Sequence, residues 1–375
     1  MTMTKTQVRR FVRLLLRRVA PCSFIALVGV ASSVIFVRRS SFAHTWSPQI
    51  SRFQTSACPK ILMFGGVSYY TENNEAGAKY WGETVGVDGF FVLDLLDSWE
   101  YSVGDDENSG KYQGLKAFQQ LYSKHGVTDN FVTIGLHKPH DWKTPAAQDN
   151  AVRNLRQAAH LARFAGFKGL ALDLEFYVQG FWITDPTLPD KAERVYTLGK
   201  RIGYAIWAEY PEATVIVLPE VLNYRCPPFP QSTCDAYALS GRFWDGLVQG
   251  HLPQVLLATE QTYDASQPDL VANNVWDIYR ADLQRNGVDL NTVHMAPGLW
   301  PLGKTYTDKS AHWPPSQFAQ RLQVLSRQKL PYIWIYCHGS AWEENGAYGK
   351  GHVDPQFNQF LNVLHQFKQS CSGRR

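Results

Sequence analysis

The chain has 375 residues, 45% of them hydrophobic and 19% charged, with 12 Trp, 18 Tyr and 20 Phe, a composition that excludes a disordered or low-complexity protein. Its formal charge of +4 comes from the N-terminus, where Lys5, Arg9, Arg10, Arg13, Arg17, Arg18, Arg38 and Arg39 occur with no acid among them. Without those eight, 29 basic residues face 33 acidic ones with no basic run, which excludes nucleic acid as a partner.

Residues 19–37 carry no charge, and as a helix they would span about 28 Å, enough to cross a bilayer core. Six of the eight positive charges precede that stretch, so the N-terminus is expected in the cytoplasm and the remainder outside it. Ser41, Phe42 and Ala43 have the small-x-small form of a signal-peptide cleavage site, whereas Arg38 and Arg39 favour an uncleaved anchor. The expected organisation is a basic segment with a transmembrane anchor or signal peptide over 1–43, a polar stalk over 44–59 and a catalytic body over 60–375. The body then sits on the outer side of the cell membrane, or is secreted if the segment is cleaved.

Six cysteines suit an oxidising compartment. Cys58 precedes the first strand and Cys371 ends the last helix, so a bridge between them would tie the two ends of the body together. Cys226 and Cys234 flank the Pro227–Pro230 loop and form a second candidate pair, while Cys337 reads as a buried thiol.

From residue 60 onward, short apolar runs alternate with segments of helical periodicity, eight times in all. The predicted strands are 61–66, 89–96, 131–137, 169–175, 214–220, 255–263, 293–300 and 332–338. The clearest helices are 115–124, 151–164, 192–209, 270–286 and 318–328. Runs as continuous as Phe90-Phe-Val-Leu-Asp-Leu-Leu96 suit a sheet buried on both faces. Gly126, Gly166 and Gly287 follow three of the helices, where a left-handed glycine closes the last turn. The predicted fold is α/β, a (β/α)8 TIM barrel preceded by the N-terminal membrane segment. The runner-up is a doubly wound open sheet, but Met63-Phe-Gly-Gly-Val67 lacks the third glycine of a phosphate-binding turn, and no cofactor is implied.

In such a barrel, chemistry sits at the C-terminal ends of the strands. With a period of two, Ala171, Asp173 and Glu175 share one face of the fourth strand and Leu170, Leu172 and Leu174 the other. The leucines suit the helix side, leaving two carboxylates aimed into the barrel mouth. One protonated and one ionised carboxyl is what departure of a sugar requires, because the leaving oxygen takes up a proton as the oxocarbenium ion develops. Glu175 is therefore the expected general acid, with Asp173 assisting. Glu260, after the sixth strand, is the preferred second carboxylate, ahead of Glu220 and Asp94. Further polar and aromatic residues near strand ends are candidates for holding a sugar: Trp99, His137, Tyr177, Tyr263, Trp300, His338 and Trp342. Sugar rings present flat C–H faces to indoles, so the concentration of Trp near the strand ends favours a saccharide cleft.

Residues 166–177, GFKGLALDLEFY, resemble the fourth-strand signature of the family 18 glycoside hydrolases, the chitinases and endo-β-N-acetylglucosaminidases. The resemblance implies that Asp173 orients an acetamido group and that Glu175 is the general acid. It also implies that Tyr263-Asp264 is the Tyr-Asp pair of that family and that Trp342 lies under the cleaved sugar. Lys168 and Ala171 stand where that pattern has its first two aspartates, so the proton relay that reloads the acid is missing.

Two other functions compete. The missing aspartates suit a polysaccharide-binding barrel without catalysis. His137, His140, Asp141 and His338 suggest, more weakly, a metal-dependent deacetylase, although their spacing matches no strong ligand pattern and no metal is expected.

Overall fold

Apolar runs of four to nine residues, each too buried to show a polar face, close into a barrel of eight parallel strands among the described residues, paired in sequence order from β1 to β8 and back to β1. The computed structural model describes residues 58–68, 73–96, 99, 101–135, 144–174, 189–218, 238–263, 265–285, 287–302, 313–337, 342 and 357–372. The membrane segment, most of the stalk and the Cys226–Cys234 pair lie outside them. Among the described residues no helix is long and apolar enough to cross a membrane.

In chain order the elements are β1 (Lys60–Ser68), α1 (Glu75–Lys79, continued by a π-helical turn over Tyr80–Val85), β2 (Gly89–Leu96), α2 (Gly110–Lys124), β3 (Phe131–Ile134), α3 (Pro145–Ala165), β4 (Gly169–Asp173) and α4 (Lys191–Glu209). There follow β5 (Thr214–Leu218), α5 (Ser240–Val248), β6 (Gln254–Thr259), α6 (Pro268–Arg285), β7 (Val293–Leu299), α7 (Pro315–Leu325), β8 (Tyr332–Tyr336) and α8 (Phe357–Ser372). The expected (β/α)8 architecture is the observed one. Gly126, Gly166 and Gly287 have φ of +85°, +80° and +71°, as the helix ends required.

Alternation divides the strand side chains between two apolar layers. Ile61, Phe90, Leu170, Val215, Val255 and Ile333 join the helices in the outer layer. Their neighbours Leu62, Phe91, Ala171, Ile216, Leu256 and Trp334 fill the barrel. The filling is lopsided. Phe64, Phe91 and Trp334 enter from β1, β2 and β8, whereas Ala171, Ala258 and Ala296 come from β4, β6 and β7. The indole of Trp334 lies against the neighbouring strand β7 and donates from Nε1 to the Ala296 carbonyl at 2.9 Å. Gly298 makes room for it, since a Cβ there would lie 2.7 Å from the indole ring.

The N-terminal end of the barrel is closed by polar contacts. The Asp129 carboxylate accepts from Lys60 Nζ and from the Tyr332 hydroxyl, each at 2.7 Å. Burial, with Asp129 alongside, pushes the Tyr332 phenol far above its usual range.

Cys58 and Cys371 are disulfide-bonded, the pairing expected from their positions at the ends of the body, and Cys337 is a buried thiol that donates from Sγ to the Phe64 carbonyl at 3.0 Å. The bridge closes a loop of 313 residues, so it removes much freedom from the unfolded chain. A Cys58→Ser/Cys371→Ser protein should lose about 2–5 kcal/mol in denaturant titration; a midpoint equal to that of the oxidised parent would show the bridge to be energetically silent.

His125 sits between two carboxylates, with Nδ1 2.8 Å from Glu83 Oε1 and Nε2 2.8 Å from Glu75 Oε1. These hydrogen bonds raise its pKa above the ordinary value, so the folded state holds the proton more tightly than the unfolded chain. The resulting stability is fully present below about pH 6.5 and disappears as pH rises through the raised pKa. Relative to the parent, His125→Gln should flatten the fall in melting temperature as pH rises above about 6.5. Parallel profiles for the two proteins would remove this pair from the pH response.

Candidate functional site

Strand β4 places its groups as the period of two requires. Leu170, Leu172 and Leu174 lie in the outer layer and Ala171 in the barrel interior, and the same alternation carries Asp173 to the inward face at the C-terminal end of the strand. Asp173 is 3% exposed and pairs in register with Leu218 of β5. Lys168 precedes the strand, and Ala171 is enclosed by apolar side chains. Glu175 and Tyr177 lie outside the described residues.

Two strands away, β6 ends at Thr259 rather than continuing to residue 263 as the sequence suggested. Glu260, Gln261, Thr262 and Tyr263 instead form a turn closed by a hydrogen bond from Tyr263 N to the Glu260 carbonyl at 2.9 Å. Thr262 braces the turn, donating from its hydroxyl to the Gly298 carbonyl at 2.7 Å. The turn swings the Tyr263 hydroxyl back to Glu260, where it donates to Oε1 at 3.3 Å. A carboxylate and a phenol on one short turn are thus presented together at the C-terminal end of β6.

The ring of Tyr263 begins an aromatic wall. Its centroid lies 5.5 Å from Trp300, 5.2 Å from Trp334 and 5.8 Å from Tyr336. Trp300 and Tyr336 are 5.1 Å apart, and Phe64 stands 5.5 Å from Tyr336. The wall therefore runs from the end of β6 past β7 and β8 to β1. Arg321 of α7 buttresses it from behind. Its guanidinium donates to the Tyr263 carbonyl at 3.2 Å and lies 3.6 Å from the centre of the Trp313 ring.

Sequence reasoning selected Glu260, Tyr263 and Trp300 but missed Phe64, Trp334 and Tyr336. The signal was present: in Tyr332-Ile-Trp-Ile-Tyr336 aromatic and aliphatic residues alternate, which assigns three large rings to one face.

Two expected sugar contacts are corrected. Trp99 and Trp342 are both wholly buried. Trp99 lies against Phe243 of α5 at 5.1 Å, and its carbonyl accepts from Asn154 of α3. Trp342 is held at 5.3 Å from Phe357 of α8, with Phe318 of α7 at 6.4 Å. An indole with no accessible face has nothing to offer a sugar ring, so both are wedges between barrel and helices. Asp94 is in β2, within the stretch where pairing to β3 shifts between Val92 and Leu96. His137, Glu220 and His338 lie outside the described residues, as do His140 and Asp141 of the metal alternative. Among the described residues no three His, Cys, Asp or Glu side chains are grouped to hold a metal.

No protein-family model matches the chain and no curated protein matches it. Solved structures do. An endo-β-1,4-mannanase from Thermotoga petrophila superposes with a TM-score of 0.51 at 9% identity, over 85% of this chain and 78% of that one. A chitinase from Bacteroides thetaiotaomicron gives 0.48 at 9% identity, over 82% and 96%. A D-allulose 3-epimerase from Methylomonas sp. gives 0.45 at 12% identity, over 84% and 98%. The likeness is one of fold. At such identity it says nothing of activity, so any function must be argued from the side chains themselves.

Proposed function

We propose that the chain is an exported glycoside hydrolase acting on a polysaccharide or oligosaccharide at the C-terminal mouth of the barrel. The observation that carries this reading is the buried, inward-facing Asp173 at the end of β4, together with a Glu260–Tyr263 pair and an aromatic wall along the same mouth. In this mechanism Glu175, two residues beyond Asp173, protonates the glycosidic oxygen as the bond breaks. Asp173 orients the substrate and tunes that acid. Glu260, oriented by Tyr263, is the second carboxylate at the sugar, and Trp300 with Tyr336 gives the ring a face to rest on. Export is supported by the Cys58–Cys371 bridge, a bond characteristic of oxidising compartments, with the uncharged 19–37 segment as its anchor or signal.

Incubating the full chain with chitin oligosaccharides, β-mannan and bacterial exopolysaccharides and measuring new reducing ends tests the proposal. Release from one of them that disappears in Glu175→Gln supports it. Binding to a glycan without release would instead favour a polysaccharide-binding barrel, the reading favoured by the apolar packing of Ala171. The anomeric form of the first product then distinguishes retention, for which carboxyl groups stand about 5 Å apart, from inversion at about 6.5–9.5 Å.

A further inference from the structure

A second aromatic surface lies at the other end of the molecule. Gly199 and Gly203 of α4 face Gly246 and Gly250 of α5 and its following turn. A Cβ on Gly199 would come 2.1 Å from the Phe243 carbonyl oxygen, one on Gly246 2.0 Å from that of Tyr196, and one on Gly250 2.5 Å from Gly203 Cα. The two backbones touch because none of the four residues has a side chain. Each element then presents a ring directly beside the contact, Tyr204 after Gly203 and His251 after Gly250, with Trp207 one helical turn on from Tyr204.

These rings form a cluster. Tyr204 and Trp207 centroids are 5.5 Å apart, Trp207 and His251 5.6 Å, and Tyr204 and His251 6.3 Å. Tyr204 is 53% exposed, and His251 is exposed as well. His251 is also the one non-glycine residue with positive φ, +66°, among the described residues, a conformation that side chains adopt at a cost. Two features therefore converge: a ring cluster in which Tyr204 and His251 are exposed while Trp207 is half-buried against the core, and a positive-φ backbone at the third ring.

We infer that Tyr204, Trp207 and His251 form a surface-binding platform for a polysaccharide chain, separate from the candidate active site. Rings with hydroxyl and imidazole groups at their edges match a pyranose, which offers an apolar C–H face and a polar rim. A protein partner would need on the order of 800 Å² from each side, and Tyr204 has no other large exposed hydrophobic residue of α4 or α5 beside it among those described. The C-terminal end of α4 and the turn entering β6 both lie at the N-terminal ends of the strands, opposite the catalytic mouth. A glycan held there is tethered and not positioned for cleavage. The inference rests on the carbohydrate reading of the protein but not on the identity of its catalytic groups.

The test is affinity electrophoresis of the full chain in gels containing glycol chitin, galactomannan or carboxymethylcellulose, alongside reducing-end release from the same glycans. The parent should be retarded in one of them, and Tyr204→Ala should weaken that retention about three- to tenfold while leaving hydrolysis of short soluble oligosaccharides unchanged. His251→Gly relieves the strained backbone, so its melting temperature should equal or exceed that of the parent while retention falls; a merely structural histidine would leave retention alone. Retention unaltered in both variants overturns the platform, and so does hydrolysis with no retention in any gel. Retention that is lost in Tyr204→Ala, by a parent that releases no reducing ends, leaves the platform standing and removes the hydrolase.

Discussion

Glu175→Gln should lower turnover about 10²–10⁴-fold, the range contributed by a positioned general acid, with the melting temperature unchanged. The amide keeps the shape and hydrogen-bonding reach of the acid but has no proton to give the leaving oxygen. The loss belongs in kcat, because substrate contacts made before bond cleavage are retained. Asp173→Asn is the informative contrast. Asp173 is buried, so its replacement should affect folding stability as well as rate. A Glu175→Gln protein that turns over at the parental rate would end the assignment. In that event Glu260, held by the Tyr263 hydroxyl, becomes the next carboxylate to replace.

The second large effect concerns the barrel interior. Trp334→Ala should destabilise the fold by about 3–5 kcal/mol, since the cavity lies in a rigid barrel that collapses poorly around it. Trp334 is fully buried, bonds to Ala296 and packs at 5.2 Å against Tyr263 and 5.9 Å against Phe91. Its loss removes the support beneath the aromatic wall, so weakened substrate binding should accompany the fall in stability. The reciprocal change, Gly298→Ala, fills space the indole already occupies, with Thr259 O only 2.9 Å from the added carbon. It should cost about 1–3 kcal/mol by overpacking. Equilibrium urea titrations of both variants check the pair. A Trp334→Ala loss below that of Gly298→Ala would show that the interior repacks, contrary to the close fit described here.

Much of this architecture was legible in the residues. Buried parallel strands must be apolar on both faces, so eight apolar runs with helices between them announce a closed barrel, and the period of two in β4 assigns Asp173 to the interior and its leucines to the helices. The ends were legible too, because in a barrel the start of β1 and the end of α8 meet on one side, which places Cys58 beside Cys371. Strand ends were less so. The polar residues after Thr259 continue the alternation in sequence but leave the ladder in space, since Tyr263 N finds its acceptor at Glu260 within the turn.

What sequence determined by itself is the periodic content: which residues share a face, where helices stop and which strand ends on the inward-facing Asp173. Tertiary structure alone decided which indoles meet solvent. Trp99, Trp300 and Trp342 follow strands alike in the sequence, yet Phe243 and Phe357 enclose the first and last, while Trp300 joins Tyr263 and Tyr336 at the mouth. The reason is physical. Periodicity is a property of neighbours along the chain, whereas the burial of a ring depends on partners brought from distant helices, and no local pattern records their arrival.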